Sequence, residues 1–225
     1  MKNILYIFIA SLFLSSCGST SNAVLKSTAY SGIYEEKPLS VLIMPPINRS
    51  TDVEAKEFFH TTLNVPIVNA GYYVIPPFLS MEILKKESAY DSEMFIDQPL
   101  EIFQKVFGAD MALFTIINKW DKSSLASKVI VEVKYIIKST KTNEVLYERT
   151  GEVVYNTAVR NQNSGLLMNM LLSAVNTAAT KYVDVARACN NYTFADLPAG
   201  KYSLNYGLDG ETYAGRKDFT VRLPN

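Results

Sequence analysis

The sequence predicts an α/β (α+β) protein: a mixed sheet with an extended antiparallel hairpin and helices packed against it. Three observations support this class. Short apolar runs alternate with amphipathic segments in the first half of the chain. A strictly alternating segment, residues 128–138, follows them and is joined by a turn to a second strand. The resulting order of strand, helix, strand, helices and strand is typical of a sheet covered by helices.

Three apolar runs in the first half are predicted to be strands. They cover residues 39–44, 72–75 and 110–118. The pairs Pro45–Pro46 and Pro76–Pro77 follow the first two runs. Proline cannot donate to a sheet ladder, so each pair is expected to end its strand.

The segments between these strands are predicted to be helices. Thr51 and Glu54 have the spacing of a capping box and should begin the first helix. Pro66 interrupts that helix and should kink it near Thr62, and Gly71 is placed to end it. Two more helices are expected around residues 81–84 and over residues 100–107, the latter ended by Gly108.

The second half contains the hairpin, a long helix and a tail. One face of the alternating strand should be buried, because its residues are Val129, Val131, Val133, Tyr135 and Ile137. Residues 144–155 should return as its partner strand. Ser164 is expected to cap a helix that runs to Cys189. The tail, residues 190–225, is expected to form a β-hairpin of Tyr202–Tyr206 with Phe219–Leu223.

The N-terminus has the pattern of a bacterial lipoprotein signal peptide. Lys2 precedes an apolar run of h-region length, residues 4–14, and the run closes with Leu-Ser-Ser-Cys at positions 14–17. These four residues resemble the lipobox of bacterial lipoproteins. The resemblance implies cleavage before Cys17 and acylation of that residue with chains such as palmitate. An ordinary signal peptide with a cysteine near its end is the alternative.

The residues after Cys17 suggest where the anchored chain resides. By resemblance to Gram-negative lipoproteins, Gly18 in place of aspartate favours the outer membrane, and the absence of an acidic cluster at residues 19–22 favours its periplasmic face. Four regions are therefore expected. They are the signal peptide 1–16, an acylated flexible tether 17–37 of roughly 25 Å, the α/β domain 38–189 and the tail 190–225.

Composition and missing motifs exclude several classes of function. Lys+Arg and Asp+Glu are both 22, so the chain has no basic surplus with which to bind nucleic acid. The single histidine, His60, leaves no histidine pair for a metal site, and the acidic loop around Asp91 lacks the calcium-loop pattern. No catalytic or cofactor motif is present. Cys189 is expected to be packed in the core rather than to pair with another chain.

The turn after the first strand is the one candidate ligand site in the domain. Pro45, Pro46, Asn48 and Arg49 lie between a strand end and a helix start, a common ligand position in α/β sheets. Arg49 beside free helix N–H groups could hold an anion or contribute to an interaction site. The alternative is a rigid strand stop followed by a helix cap.

Several ordered segments together resemble a family of bacterial lipoproteins of unknown function that includes a meningococcal genome-derived antigen. The segments are VLIMPPINRSTDVEAK, NAGYYVIPP, PLEIFQKVFGADMALFTIINKW and TKTNEVLYE, and the resemblance covers roughly residues 38–188. It implies a fold similar to the N-terminal domain of TolB and to the periplasmic domain of CsgG. Genes of this family often lie beside a gene for a CsgG-like lipoprotein, so the resemblance also implies such a lipoprotein as a partner.

The sequence leaves three functions open. The first is a non-catalytic accessory subunit of an envelope or secretion-type assembly, with a CsgG-like partner held at the hairpin edge (129–155) or the long helix (166–188). The second is a lipoprotein that binds peptidoglycan or regulates a peptidoglycan synthase. The third is a hydrolase, whose only available triad would have to use His60.

Overall fold

The structure is a computed structural model that describes residues 23–123, 125–158, 169, 172 and 181–223. The predicted signal peptide, Cys17, Gly18 and the predicted helix start at Ser164 lie outside these residues. The strands are β1 Ser40–Ile43, β2 Ile47–Asn48, β3 Tyr73–Val74, β4 Met111–Ser123, β5 Lys128–Ser139, β6 Val145–Asn156 and β7 Asp218–Leu223. They form one mixed sheet of order β3-β1-β4-β5-β6-β7, with β2 beside β4.

Six α-helices accompany the sheet in the described part of the chain. They are α1 Lys26–Ala29, α2 Ser31–Glu36, α3 Ala55–Asn69, α4 Pro77–Lys86, α5 Glu101–Phe107 and α6 Tyr182–Phe194. Strands β1, β3 and β4 pair in parallel, whereas β4, β5 and β6 form antiparallel pairs. The predicted class, a mixed sheet with an extended hairpin and packed helices, is therefore confirmed.

Strand β1 is buried on both faces, which explains its continuous apolar run. Val41 and Ile43 belong to the core cluster that contains residues of α3 and α6. Leu42 and Met44 belong to the opposite cluster, which contains residues of α4 and α5. A parallel strand between two helical layers needs no polar face.

The alternation along β5 also has the predicted consequence. Val129, Val131, Val133, Tyr135 and Ile137 are fully buried. Glu132 and Lys134 lie on the other face and are half-buried. The predicted end of α5 is confirmed as well, since Gly108 follows it with a left-handed φ of 66°.

The predicted capping box is wrong. Helix α3 begins at Ala55, and its N-cap residue, Glu54, makes no side-chain capping bond. The Asp52 carboxylate instead accepts a hydrogen bond from the backbone N–H of Glu54 at 3.0 Å. Local polar turns therefore occupy residues 50–54 ahead of the helix. Pro66 lies inside α3, as predicted.

The prediction of a flexible tether over residues 17–37 is wrong for much of that range. Residues 26–36 form helices α1 and α2, and Tyr30 and Ile33 are buried in the core. Contacts distant in sequence stabilise them, because the Tyr30 hydroxyl donates to Asp196 and the Tyr34 hydroxyl donates to Asp209. Such contacts leave no local periodic pattern.

The predicted hairpin in the tail is also wrong. Helix α6 continues past Cys189 to Phe194, and residues 201–213 form turns rather than a strand. Phe219–Leu223 is part of a strand, but that strand, β7, pairs in parallel with β6. The partner was missed because parallel pairing of distant strands gives no turn signal.

The two ends of the described chain are joined to each other. Leu25 forms an isolated antiparallel bridge with Tyr213. The backbone N–H of Lys26 donates to the Thr212 carbonyl at 2.8 Å, and that of Ala214 donates to the Val24 carbonyl at 2.8 Å. The N-terminal helices and the tail therefore form one structural unit on the domain.

Candidate functional site

The predicted anion-binding turn is internally bonded. The Asn48 side-chain oxygen accepts from the Ser50 N–H at 3.0 Å and its amide donates to the Asp52 carbonyl at 2.7 Å. The Arg49 guanidinium pairs with Glu93, and both side chains are about half exposed. Pro45 and Pro46 lie between β1 and β2 and are buried. These contacts correspond to the strand-stop alternative, and anion binding stays a prediction.

His60 lies on helix α3 with its ring buried. Burial lowers its pKa below the usual value for histidine. Its Nε2 atom has no hydrogen-bond partner among the residues that the structure describes. A hydrolytic triad needs a base bonded to its nucleophile, and these residues provide no such bond to Nε2. Within the same residues, no group of three acidic, histidine or cysteine side chains is placed to hold a metal ion.

The hairpin edge proposed from the sequence as a docking surface is occupied. The outer edge of β6 pairs with β7 over residues 150–155. Within the described chain, β7 is the last strand on this side of the sheet, as β3 is on the other, so β7 rather than β6 carries this edge. The long-helix alternative lies largely outside the described residues.

A slot in strand β6 accepts β7. Phe219 lies directly over Gly151, where a side chain would collide with its ring. The Arg149 guanidinium carbon is 4.4 Å from the centroid of the Phe219 ring, and the Tyr192 ring lies 5.1 Å away from it. Phe219 is thus held by a glycine, a cation and a ring of α6.

Arg149 joins the slot to the elements around it. It is 4% exposed. Its Nη1 group donates to the Thr193 carbonyl at 2.9 Å, and its Nε group donates to the Arg216 carbonyl at 3.1 Å. Asp196 lies 4.0 Å from Nη1 and accepts from the Gly215 N–H at 2.8 Å. One buried guanidinium therefore fixes α6 and the segment that leads into β7.

The register shows which backbone groups of β7 bond to β6 and which point away from it. Thr150 pairs with Asp218, and its N–H donates to the Lys217 carbonyl at 2.8 Å. In a parallel pair, alternate residues of a strand bond to the same neighbour. Phe219, Val221 and Leu223 therefore bond toward β6. The N–H groups that point away from the sheet belong to Asp218, Thr220 and Arg222.

The face next to this edge is polar. Glu148 on β6 accepts from Lys134 at 2.6 Å and from Lys217 at 2.7 Å. Burial alone would raise the pKa of Glu148, but these two ammonium groups outweigh burial and hold its pKa below the usual value. The edge thus has paired charges on one face and the half-buried Phe219, Val221 and Leu223 on the other.

Comparison with known proteins agrees with the family expected from the sequence. A family model described as "Putative lipoprotein GNA1162-like" matches residues 28–202. The "Putative lipoprotein NMB1124/NMB1162" of Neisseria meningitidis serogroup B is 27% identical over 186 residues, which cover 82% of this chain and 84% of the relative. The region that the family model matches ends before β7 begins.

Among the solved structures that are similar to this chain, two illustrate the extent of the likeness. Lipoprotein GNA1162 from Neisseria meningitidis is 25% identical with a TM-score of 0.49, covering 64% of this chain and all of that one. The LpoB C-terminal domain from Escherichia coli is 14% identical with a TM-score of 0.37, covering 56% of this chain and 93% of that one. Since the family model matches most of the sequence, the chain belongs to the GNA1162-like lipoprotein family.

Proposed function

We propose that this protein is a non-catalytic lipoprotein, held by acylated Cys17 at the periplasmic face of the outer membrane. There it serves as an accessory subunit of an envelope or secretion-type assembly. Its protein partner adds a strand to the free edge of β7. The exposed edge of β7, with its outward N–H groups, is the observation that carries the proposal.

The chemistry of a sheet edge supports this docking mode. An edge strand presents a row of backbone donors and acceptors to any extended chain of suitable shape. Partners that add a strand gain affinity from these main-chain bonds and specificity from alternate side chains. Strand β7 has one set of alternate side chains on each face. The half-buried set is Phe219, Val221 and Leu223, and the exposed set is Asp218, Thr220 and Arg222.

The anchor and the location rest on the sequence and the family. The lipobox-like residues 14–17 support Cys17 as the acylated residue, and the family is one of lipoproteins. Several acyl chains give stable attachment where one chain is reversible. No helix in the described ranges is long and apolar enough to cross a bilayer. Gly18 supports the outer membrane by resemblance to other lipoproteins.

A CsgG-like lipoprotein is the partner that we propose, on the strength of the family resemblance. The alternative is a wall-directed function, in which the domain binds peptidoglycan or regulates a synthase. The accessory-subunit function and the wall-directed function predict different binding partners in the envelope. An accessory subunit of such an assembly has no need to bind the wall, and a wall-binding module has no need of a CsgG-like protein.

The test is crosslinking in intact cells with a C-terminally tagged chain, followed by detection of the CsgG-like lipoprotein. Thr220→Pro removes one outward N–H without removing a bond to β6, because proline is tolerated on an edge strand where its nitrogen faces solvent. Thr220→Ala is the matched control, since it removes the same hydroxyl but keeps the N–H. Cys17→Ser tests the anchor.

The proposal expects recovery of the partner with the wild type and Thr220→Ala, and loss with Thr220→Pro and Cys17→Ser. Equal recovery with Thr220→Pro and Thr220→Ala would show that the β7 edge is not the docking surface. Recovery of peptidoglycan enzymes instead, with co-sedimentation on purified peptidoglycan, would favour the wall-directed function. Matching thermal unfolding of both Thr220 variants shows that the fold is intact.

A further inference from the structure

The proposed anchor, Cys17, is joined to the folded domain by a short stretch of chain. If Cys17 is acylated, as proposed above, only five residues lie between it and Ala23, the first residue that the structure describes. The six residue steps from Cys17 to Ala23 span about 20 Å even when fully extended. A body of this size is about 40 Å across. The end of the domain that contains Ala23 must therefore stay close to the membrane.

The tail lies at this same end. The backbone of Val24 bonds Ala214, and the Ser27 N–H donates to the Gly210 carbonyl at 3.1 Å. Residues 201–213, here called the tail loop, therefore reach the point where the tether enters the body with their C-terminal end, at Gly210, Thr212 and Tyr213. An anchor of this length keeps that end of the tail loop close to the lipid surface whenever the protein is attached.

The tail loop exposes large apolar side chains. Leu204 is 98% exposed, Leu208 74%, and Tyr202 and Tyr213 are 68% and 67% exposed. Single exposed apolar residues are ordinary on protein surfaces. Several on one loop beside a lipid anchor are different, because leucine can enter the acyl boundary and tyrosine suits the interface between lipid and water.

The tail loop is held in place by the fold. The Asp209 carboxylate accepts from the Ala199 N–H at 2.8 Å and from the Tyr34 hydroxyl at 3.0 Å. The Tyr202 N–H donates to the Gly71 carbonyl at 3.0 Å. These bonds fix the segment at Tyr202 and at Asp209, which lowers the cost of ordering its apolar side chains on contact with a surface.

We propose that the tail loop is a second membrane contact, which inserts its leucine and tyrosine side chains into the lipid headgroup layer beside the acyl anchor. Lipid and loop together then hold the domain in one orientation on the bilayer. The occupant of this surface is the membrane that carries the protein's own anchor.

The test measures vesicle binding of the chain from Cys17 onward with one acyl chain coupled through maleimide to Cys17. One chain gives only reversible attachment, so a second contact shows as tighter partitioning. Cys189 will not compete for the reagent, because it is fully buried and burial raises the pKa of its thiol. The vesicles contain phosphatidylethanolamine and phosphatidylglycerol.

The variant replaces Tyr202, Leu204 and Leu208 with serine. The matched control replaces Phe78, Leu79 and Met94, which are also exposed apolar residues (82%, 56% and 64%) on and after α4, with serine. We expect the tail-loop variant to partition about tenfold more weakly than the wild type. The control should remain within about twofold of it.

Equal partitioning of the tail-loop variant and the control would overturn the proposal. Leu204→Ser alone, at a nearly fully exposed position, should give part of the loss without affecting the thermal unfolding curve, which guards against a folding defect. Because the lipid is attached chemically, the result does not depend on acylation in cells. Absence of labelled palmitate from Cys17 in cells would instead contradict the proposed anchor and leave this measurement unaffected.

Discussion

Phe219 occupies the space that a side chain at Gly151 would need: a Cβ atom built on Gly151 would lie 2.2 Å from Cζ of the Phe219 ring. The two residues face each other across the β6–β7 pair. Gly151 is therefore a packing requirement of β7. Any larger residue at this position must expel the aromatic ring that fixes the edge strand to the sheet.

Gly151→Val should detach β7 from β6. Overpacking of this kind costs about 1–3 kcal/mol, and here the cost can be relieved by release of the strand. Amide hydrogen exchange should accelerate at residues 219, 221 and 223, which bond toward β6. Thr150→Val, on the polar face one residue away, should leave exchange unchanged. Continued protection of β7 in Gly151→Val would contradict this account of the slot.

Replacing Arg149 with methionine should destabilise the domain strongly. The change leaves the buried Thr193 carbonyl without a charged donor and Asp196 without its nearby cation. Removal of one partner from a buried polar pair costs about 3 kcal/mol or more. Arg187→Met is the control, since its pair with Asp184 is about half exposed and such pairs contribute below about 1 kcal/mol. Urea unfolding of both variants measures the difference.

Asn190 joins α6 to the sheet and to α3. Its side chain accepts from the Tyr135 hydroxyl and donates to Thr62 Oγ1 at 2.9 Å. Asn190→Leu should cost about 1–3 kcal/mol, because the buried Tyr135 hydroxyl loses its acceptor. Adding Tyr135→Phe should restore much of that loss. If the double variant is as unstable as the sum of the single variants, the hydrogen bond is not the cause.

Asp110 should make stability depend on pH. Burial alone would raise its pKa, but the N–H groups of Leu39 and Ser40 and the Lys141 ammonium outweigh burial and hold it below the usual value. A carboxyl whose pKa is lower in the folded chain stabilises the fold above its unfolded pKa of about 3.9 and loses this effect as pH falls through the folded pKa.

The measurement for Asp110 is the free energy of unfolding of the wild type and Asp110→Asn at neutral and at acid pH. At neutral pH the wild type should have a larger free energy of unfolding than Asp110→Asn. This difference should narrow below about pH 4. Lys141→Met should narrow the gap at neutral pH as well, because it removes one of the favourable charges. A gap that is constant with pH would contradict this explanation.

Local patterns predicted much of the sheet but little of what lies around it. The alternation in β5 and the left-handed Gly108 were readable because each depends on near neighbours in sequence. Helices α1 and α2 could not be predicted in this way. They are stabilised by hydrogen bonds from Tyr30 to Asp196 and from Tyr34 to Asp209, whose partners are more than 160 residues apart in sequence.

The candidate edge was predicted one strand away from its true position. The hairpin of β5 and β6 was recognised, and Phe219–Leu223 was recognised as a strand, but their pairing was not. Gly151 was the available signal, because a glycine in the middle of a β-branched strand often marks a close approach by another group. A glycine alone does not identify which residue approaches it.

The joining of the chain ends also determines when the domain can be completed. Tyr30 meets Asp196 across a separation of 166 residues, and β7 follows all the other described elements along the chain. Contacts of such long range form late and slow the folding reaction. This connectivity delays closure until Asp196 and β7 have been synthesised, and chains truncated before Asp196 would remain open to proteolysis.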